Sequence, residues 1–258
     1  MRRRIRVAAT TLLAAVASLA GCRASQAQGN DGVITVSAHA PASIAPGKSM
    51  LALGHERDGF LFVPHDTSGK RGVPLMVMLH GATQRARLFE RILPLADSVG
   101  VAILAPDSRD VTWDAIRGSF GPDVAFIERA IVYAFDHARI DRCRVVIGGF
   151  SDGASYALSL GIRNSRAFHG VVAFSPGFII PAPEPEALPV FERHGTRDQI
   201  LPIESTSRRL VPALRQAGFD VDYQEFDGPH TMRAEDARAA MQWVSRRTCD
   251  STGQAAKP

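Results

Sequence analysis

Short apolar runs recur along the chain, each closed by Gly, Pro or Asp, and between them apolar side chains return at helical spacing. Val33–Val36 and Gly59–Val63 read as an opening antiparallel pair. Pro74–Leu79, Val101–Ala105, Arg144–Gly148, Val171–Phe174 and a run opening at Pro189-Val190-Phe191 are the continuous apolar type, expected of strands buried on both faces, and Val221–Phe226 reads as the last strand. The spacing predicts helices over residues 86–99, broken or bent at Pro94, and over 123–138, where Phe126, Ile127, Ala130, Ile131 and Ala134 share a face. Two more are predicted over 152–163 and 232–246. Strands alternating with helices indicate an α/β fold, a mostly parallel sheet covered on both sides. In such a sheet the loops at the carboxyl ends of the strands gather on one rim and carry the ligand site.

Four of those loops hold residues with chemistry. After the Arg144–Gly148 run comes Gly149-Phe150-Ser151-Asp152-Gly153, a Gly-x-Ser-x-Gly turn between strand and helix. A serine there is held in a strained conformation that lifts its hydroxyl above the sheet, while the small residues on either side let strand and helix approach. Taken alone the pentapeptide could be an ordinary Gly-rich turn. Serine also needs a base, and the base needs an orienting acid. Asp198 follows the next-to-last strand in His194-Gly195-Thr196-Arg197-Asp198, and His230 follows the last in Gly228-Pro229-His230. Asp227 is a rival acid, but its nearness to His230 in sequence suits a turn better. His80 and His194, beside glycines, read as structural supports, and Asp152 reads as a favourable charge at a helix start.

These motifs in this order, together with His80-Gly81, resemble those of α/β-hydrolase-fold serine esterases over most of residues 55–247. The resemblance is particularly to compact ones such as the phospholipase/carboxylesterase-like and polyhydroxybutyrate-depolymerase-like groups. The resemblance implies a twisted sheet of about eight strands with helices on both faces. It implies a Ser151, Asp198, His230 triad acting on a small-molecule carboxylic ester through an acyl-enzyme, without a cofactor. The oxyanion donors would be the backbone N–H of Asp152 and one from the loop after Leu79, where Ala82 is favoured with Gly81 and Thr83 as neighbours. Four prolines between Ser175 and Leu188 argue against a helical lid. Phe178, Ile179, Ile180, Trp113 and Phe120 are candidates either for a substrate pocket or for plain core. No histidine spacing suits a metal. A peptidase-like hydrolase and an inactive envelope-binding relative are the alternatives.

The amino terminus changes the charge picture. Arg2, Arg3, Arg4 and Arg6 precede an apolar run from Val7 to Leu19, which ends in Leu19-Ala20-Gly21-Cys22. Basic head, short apolar body and small residues describe an export signal. The ending resembles a bacterial lipobox, which implies cleavage after residue 21 and lipid attachment at Cys22. Multiple acyl chains would anchor the protein firmly to a membrane. By the same resemblance, Arg23 points to an outer membrane, facing the periplasm. Residues 22–31 then form a polar tether, 32–250 the catalytic domain and 251–258 a disordered tail. Without residues 1–21, which hold four arginines and no acidic side chain, basic and acidic residues number 26 each. The electrostatic case for nucleic-acid binding disappears with them. Cys143 and Cys249 remain as a disulfide candidate for an oxidising compartment, with two free thiols as the alternative.

Overall fold

The computed structural model describes residues 32–35, 45–54, 56–67, 72–183, 185 and 187–248. Its strands are β1 (Gly47–Met50), β2 (Gly59–Val63), β3 (Val73–Leu79), β4 (Ala102–Pro106), β5 (Ile140–Phe150), β6 (Val171–Phe174), β7 (Val190–Gly195) and β8 (Val221–Phe226). They form one eight-stranded sheet in the order β1-β2-β4-β3-β5-β6-β7-β8. β1 and β2, and β2 and β4, pair antiparallel, while every pairing from β4 through β8 is parallel. The helices are α1 (Leu93–Val99), α2 (Asp114–Arg117), α3 (Pro122–His137), α4 (Asp152–Arg163), α5 (Ser207–Gln216) and α6 (Ala234–Ser245).

Two apolar layers cover the sheet. On one face α3, α4 and α5 pack through Phe126, Ile127, Leu158 and Leu214, and on the other α1 and α6 pack through Ala96, Met241 and Val244. β3 and β4 are buried at every position, which is why their sequences run apolar without alternation. The predicted helix over 86–99 divides at the proline: Ala86–Ile92 winds as a 3₁₀ segment, and Pro94 falls in the first turn of α1, where its missing N–H costs nothing.

The expected amino-terminal strand is a correction. β2 pairs with Gly47–Met50, not with Val33–Val36. Val36 lies outside the described residues, and Ile34 and Thr35 are held by side chains instead: their N–H groups donate to Asn164 Oδ1 at 2.7 Å and Glu128 Oε1 at 3.0 Å. The true edge strand, Gly-Lys-Ser-Met, has no fully buried position and so shows no apolar signature.

β7 carries an ionisable side chain where the fold expects none. Glu192 is fully buried in the sheet, and burial pushes its carboxyl up from 4.5 to about 7, with Ser207, Arg215 and Arg193 only partly offsetting it. The sign follows from proton linkage. The folded protein holds this proton more tightly than the unfolded chain, so the stability it contributes is complete below pH 4.5 and is lost as pH rises to about 7. Glu192→Gln is therefore expected to gain on the order of 2–3 kcal/mol over wild type between pH 5 and pH 8. Urea melts at the two pH values check this, and parallel pH dependences in the two proteins would refute it.

Cys143 lies in β5 and is disulfide-bonded. The expected partner, Cys249, lies outside the described residues. The last turn of α6 does reach this strand, since Arg144 Nη1 donates to the Ser245 carbonyl at 3.3 Å.

Candidate active site

The turn after β5 is strained as its sequence predicts. Ser151 sits at φ 59° and ψ −123°, a region that side chains other than glycine rarely occupy, and it caps α4. Its N–H donates to the Phe174 carbonyl at 2.9 Å, tying the turn to β6. Gly149 and Gly153 are required by close approach. A Cβ on Gly153 would lie 2.0 Å from the Leu79 carbonyl oxygen, and one on Gly149 would lie 2.4 Å from the Gly153 backbone.

The loops after β7 and β8 are clasped together by their backbones. Thr196 and Arg197 donate to the Phe226 and Gly228 carbonyls at 2.8 and 2.9 Å. That clasp brings Asp198 to His230. Asp198 Oδ2 lies 2.5 Å from His230 Nδ1, while its Oδ1 accepts the Ile200 and Leu201 N–H groups at 2.9 and 2.8 Å. Burial alone would raise this carboxyl, but the hydrogen bond from His230 and those from the two backbone amides outweigh it and leave Asp198 below the usual carboxylate range. An ionised Asp198 accepts, so His230 donates from Nδ1 and presents a free Nε2. The Phe150 ring, in the elbow itself, lies 4.7 Å from the His230 ring and holds the imidazole at the serine's turn. Ser151 Oγ and His230 make no hydrogen bond in this geometry, and such bonds often tighten only when substrate binds. Asp227 goes elsewhere: it pairs with Arg197 at 2.7 Å on the surface.

The loop after β3 lies against the serine, for a Cβ on Gly81 would be 3.2 Å from Ser151 Cβ. Two of its three candidate amides are already used. Gly81 N–H donates to Gln84 Oε1 at 3.1 Å and Thr83 N–H to the Val111 carbonyl at 2.6 Å. The N–H groups of Ala82 and Asp152 have no acceptor among the described residues. Asp152 Oδ2 accepts from Thr112 Oγ1 at 2.7 Å, which turns its carboxylate toward the loop after β4.

His80 is a structural support, buried and neutral. Its Nδ1 donates to the Gly81 carbonyl at 2.8 Å and its Nε2 accepts from Ser108 N–H at 3.0 Å, while burial lowers its pKa. Trp113 and Phe120 belong to the core, where Trp113 Nε1 donates to the His80 carbonyl at 2.8 Å. Phe178 remains 38% exposed, and Ile179 and Ile180 pack partly against the core. The segment after β6 contains no helix among its described residues. It is pinned to α4 by two serines, Ser155 Oγ accepting Gly177 N–H at 2.8 Å and Ser159 Oγ accepting Ile180 N–H at 2.9 Å. Neither serine carries a periodicity signal, and their role was not visible in the sequence.

This sheet order, with a strained serine turn after β5 and the Asp and His loops after β7 and β8, defines the α/β-hydrolase fold. Residues 120–246 match the phospholipase/carboxylesterase family, a span that includes Ser151, Asp198 and His230 but not the loop after β3. NocK of Nocardia uniformis subsp. tsuyamanensis, whose name marks it as a provisionally assigned esterase, is 30% identical over 159 residues, 55% of this chain. The chain spans about half the length of that curated relative, 46%. Among solved structures, a Bacillus cereus carboxylesterase superposes with a TM-score of 0.55 at 23% identity, covering 71% of this chain and 91% of its own. FphF, a fluorophosphonate-binding serine hydrolase of Staphylococcus aureus, gives 0.65 at 14% identity, covering 78% and 100%.

Proposed function

We propose that this protein hydrolyses carboxylic esters through an acyl-enzyme on Ser151. The observation that carries the reading is the Asp198–His230 contact at 2.5 Å, set beside a serine in the strained elbow conformation. Ser151 Oγ attacks the ester carbonyl carbon and passes its proton to His230 Nε2. The carbonyl oxygen becomes an oxyanion and takes hydrogen bonds from the free N–H groups of Ala82 and Asp152. Collapse of the tetrahedral species breaks the ester C–O bond, and the alcohol leaves with the proton from His230. Water then repeats the sequence on the acyl-serine, releasing the acid and restoring Ser151. Ionised Asp198 keeps the imidazole in the required tautomer throughout and stabilises it when charged. The phospholipase/carboxylesterase match and the esterase name of the curated relative support an ester as the substrate class.

Treatment with a fluorophosphonate followed by peptide mass mapping tests this. An adduct on Ser151, together with turnover of p-nitrophenyl acetate or butyrate, is the expected result. Failure of both would remove the reading and revive a catalytically silent, ligand-binding one.

We also propose export and lipidation at Cys22, on the strength of residues 1–22. These lie outside the described residues. Expressed in a bacterium fed labelled palmitate, the protein should carry label, and Cys22→Ser should not. Equal labelling, or none in either, would exclude the anchor.

A further inference from the structure

The catalytic acid is held from behind as well as from the front. Asp198 Oδ2 accepts not only from His230 but also from His194 Nε2, at 3.0 Å, and that same Nε2 lies 2.9 Å from the Leu201 carbonyl. Both partners of Nε2 are acceptors, so Nε2 carries the hydrogen. Burial lowers the pKa of this imidazole, against the raising pull of Leu201 and Asp198. Nδ1 of the neutral ring is then an acceptor, and it lies 2.6 Å from Ser207 Oγ at the start of α5. Beyond Ser207 stands Glu192, two residues before His194 on the same face of β7. The Ser207 hydroxyl draws the pKa of the Glu192 carboxyl down against burial, yet neither carboxyl oxygen completes a hydrogen bond among the described residues. A fully buried acid without a full partner, one hydroxyl away from the support of the catalytic acid, calls for a role.

We propose that Glu192, Ser207 and His194 form a buried positioning chain that holds Asp198 toward His230, and that the chain is complete only while Glu192 keeps its proton. Its catalytic consequence rests on the ester-hydrolase reading above. Ser207 O–H to His194 Nδ1 and His194 Nε2–H to Asp198 Oδ2 are already in place, and a protonated Glu192 completes the chain by turning its O–H to Ser207 Oγ. When Glu192 releases its proton to solvent, the Ser207 hydroxyl hydrogen turns to the carboxylate. The short Nδ1···Oγ contact then has no hydrogen, and His194 must take one up or draw back from Asp198. The other groups around the acid do not replace that hydrogen. Arg215, from α5, is engaged at the Val221 carbonyl (2.9 Å), and Arg193 donates to the backbone carbonyls of Glu192 and Asp222 (2.9 and 2.8 Å) and pairs with Asp222. Tyr223 on β8 donates to Glu225 at 3.0 Å, which is itself paired with Arg208.

Gln at position 192 carries an amide N–H that mimics the protonated acid at every pH. In Glu192→Gln, kcat should therefore stay level from pH 6.5 to 9, while wild type falls several-fold as Glu192 ionises around pH 7. Ser207→Ala should lower kcat about tenfold with no Glu192-dependent inflection, the scale of one lost hydrogen bond. His194→Phe should lower kcat by about 10- to 100-fold with KM within twofold, and His194→Gln, which restores an N–H toward Asp198, should recover much of it. Superimposable wild-type and Glu192→Gln profiles, or an effect of His194→Phe on KM alone, would overturn the proposal. A readout independent of turnover is the ¹⁵N spectrum of the His194 ring, assigned by its absence in His194→Gln. It should show hydrogen on Nε2 and an Nδ1 shift that titrates near neutrality in wild type but not in Glu192→Gln. An identical titration in both proteins, or none in wild type, refutes the chain. If wild type cleaves no ester and fluorophosphonate leaves Ser151 unlabelled, the hydrolase reading fails, and the imidazole titration still decides the positioning chain.

Discussion

Ser151→Ala is expected to lower kcat on a p-nitrophenyl ester by about 10⁵- to 10⁶-fold and to abolish fluorophosphonate labelling. The size follows from what remains. Ala82 and Asp152 still offer two amides to an oxyanion, so catalysis of roughly 10³- to 10⁴-fold over water survives, but no covalent path does. Asp198→Asn should cost about 10⁴-fold, for a reason specific to this site. The Ile200 and Leu201 amides fix an oxygen at the Oδ1 position, so the new NH₂ must take the place of Oδ2. There it faces His230 Nδ1 and His194 Nε2, both of which present hydrogens. His230 would have to turn to the Nε2–H tautomer and so lose its capacity as a base. Asp227→Asn, at the exposed pair with Arg197, should change kcat less than twofold. Steady-state kinetics with circular dichroism as a folding control checks all three. Retention of more than about 1% activity in Ser151→Ala, or equal losses at Asp198 and Asp227, would reject the assignment.

The contrast between the two aspartates shows what the chain's pattern could reveal and where it stopped. Parallel strands buried on both faces must be apolar throughout, so β3 through β6 were legible as runs. Chain order and loop position singled out Asp198, and the structure adds the distance to His230. The edge was illegible because an edge strand need bury nothing, and Gly47–Met50 buries no residue fully. Helix α5 went unseen for a related reason. Half of its residues are polar and Pro212 lies in its interior, and only Ser207, Val211 and Leu214 are buried. That omission hid Ser207, and with it the link between His194 and Glu192. His194 read as a support because it precedes a glycine, but what it supports depends on a three-dimensional contact between α5 and β7. Ala82 is a subtler case. Three adjacent amides are equivalent in sequence, and only the hydrogen bonds of Gly81 and Thr83 distinguish the one left free.

Gly153→Ala should destabilise the fold by more than about 4 kcal/mol, or leave no soluble protein, although it adds only one methyl group. The added Cβ would meet the Leu79 carbonyl oxygen at 2.0 Å, its carbon at 2.4 Å and the His80 carbonyl oxygen at 2.5 Å. All three are backbone atoms at the carboxyl end of β3, which is hydrogen-bonded between β4 and β5. No rotamer relieves such a contact, so α4 must move away from the sheet by an ångström or more. That movement would open the layer in which Ala154, Tyr156, Ala157 and Leu158 are buried. It would also shift Ser151 and the Asp152 amide against Ala82, coupling the loss of packing to the loss of the site. Gly218→Ala is the matched control. Its φ of +89° makes alanine strained, but nothing lies within 4 Å of the added Cβ, so the cost should be about 1 kcal/mol. In thermal melts the first variant should lose roughly 10 °C or more and the second only a few degrees. Comparable melting temperatures for the two would mean that α4 and β3 do not need the approach that Gly153 permits.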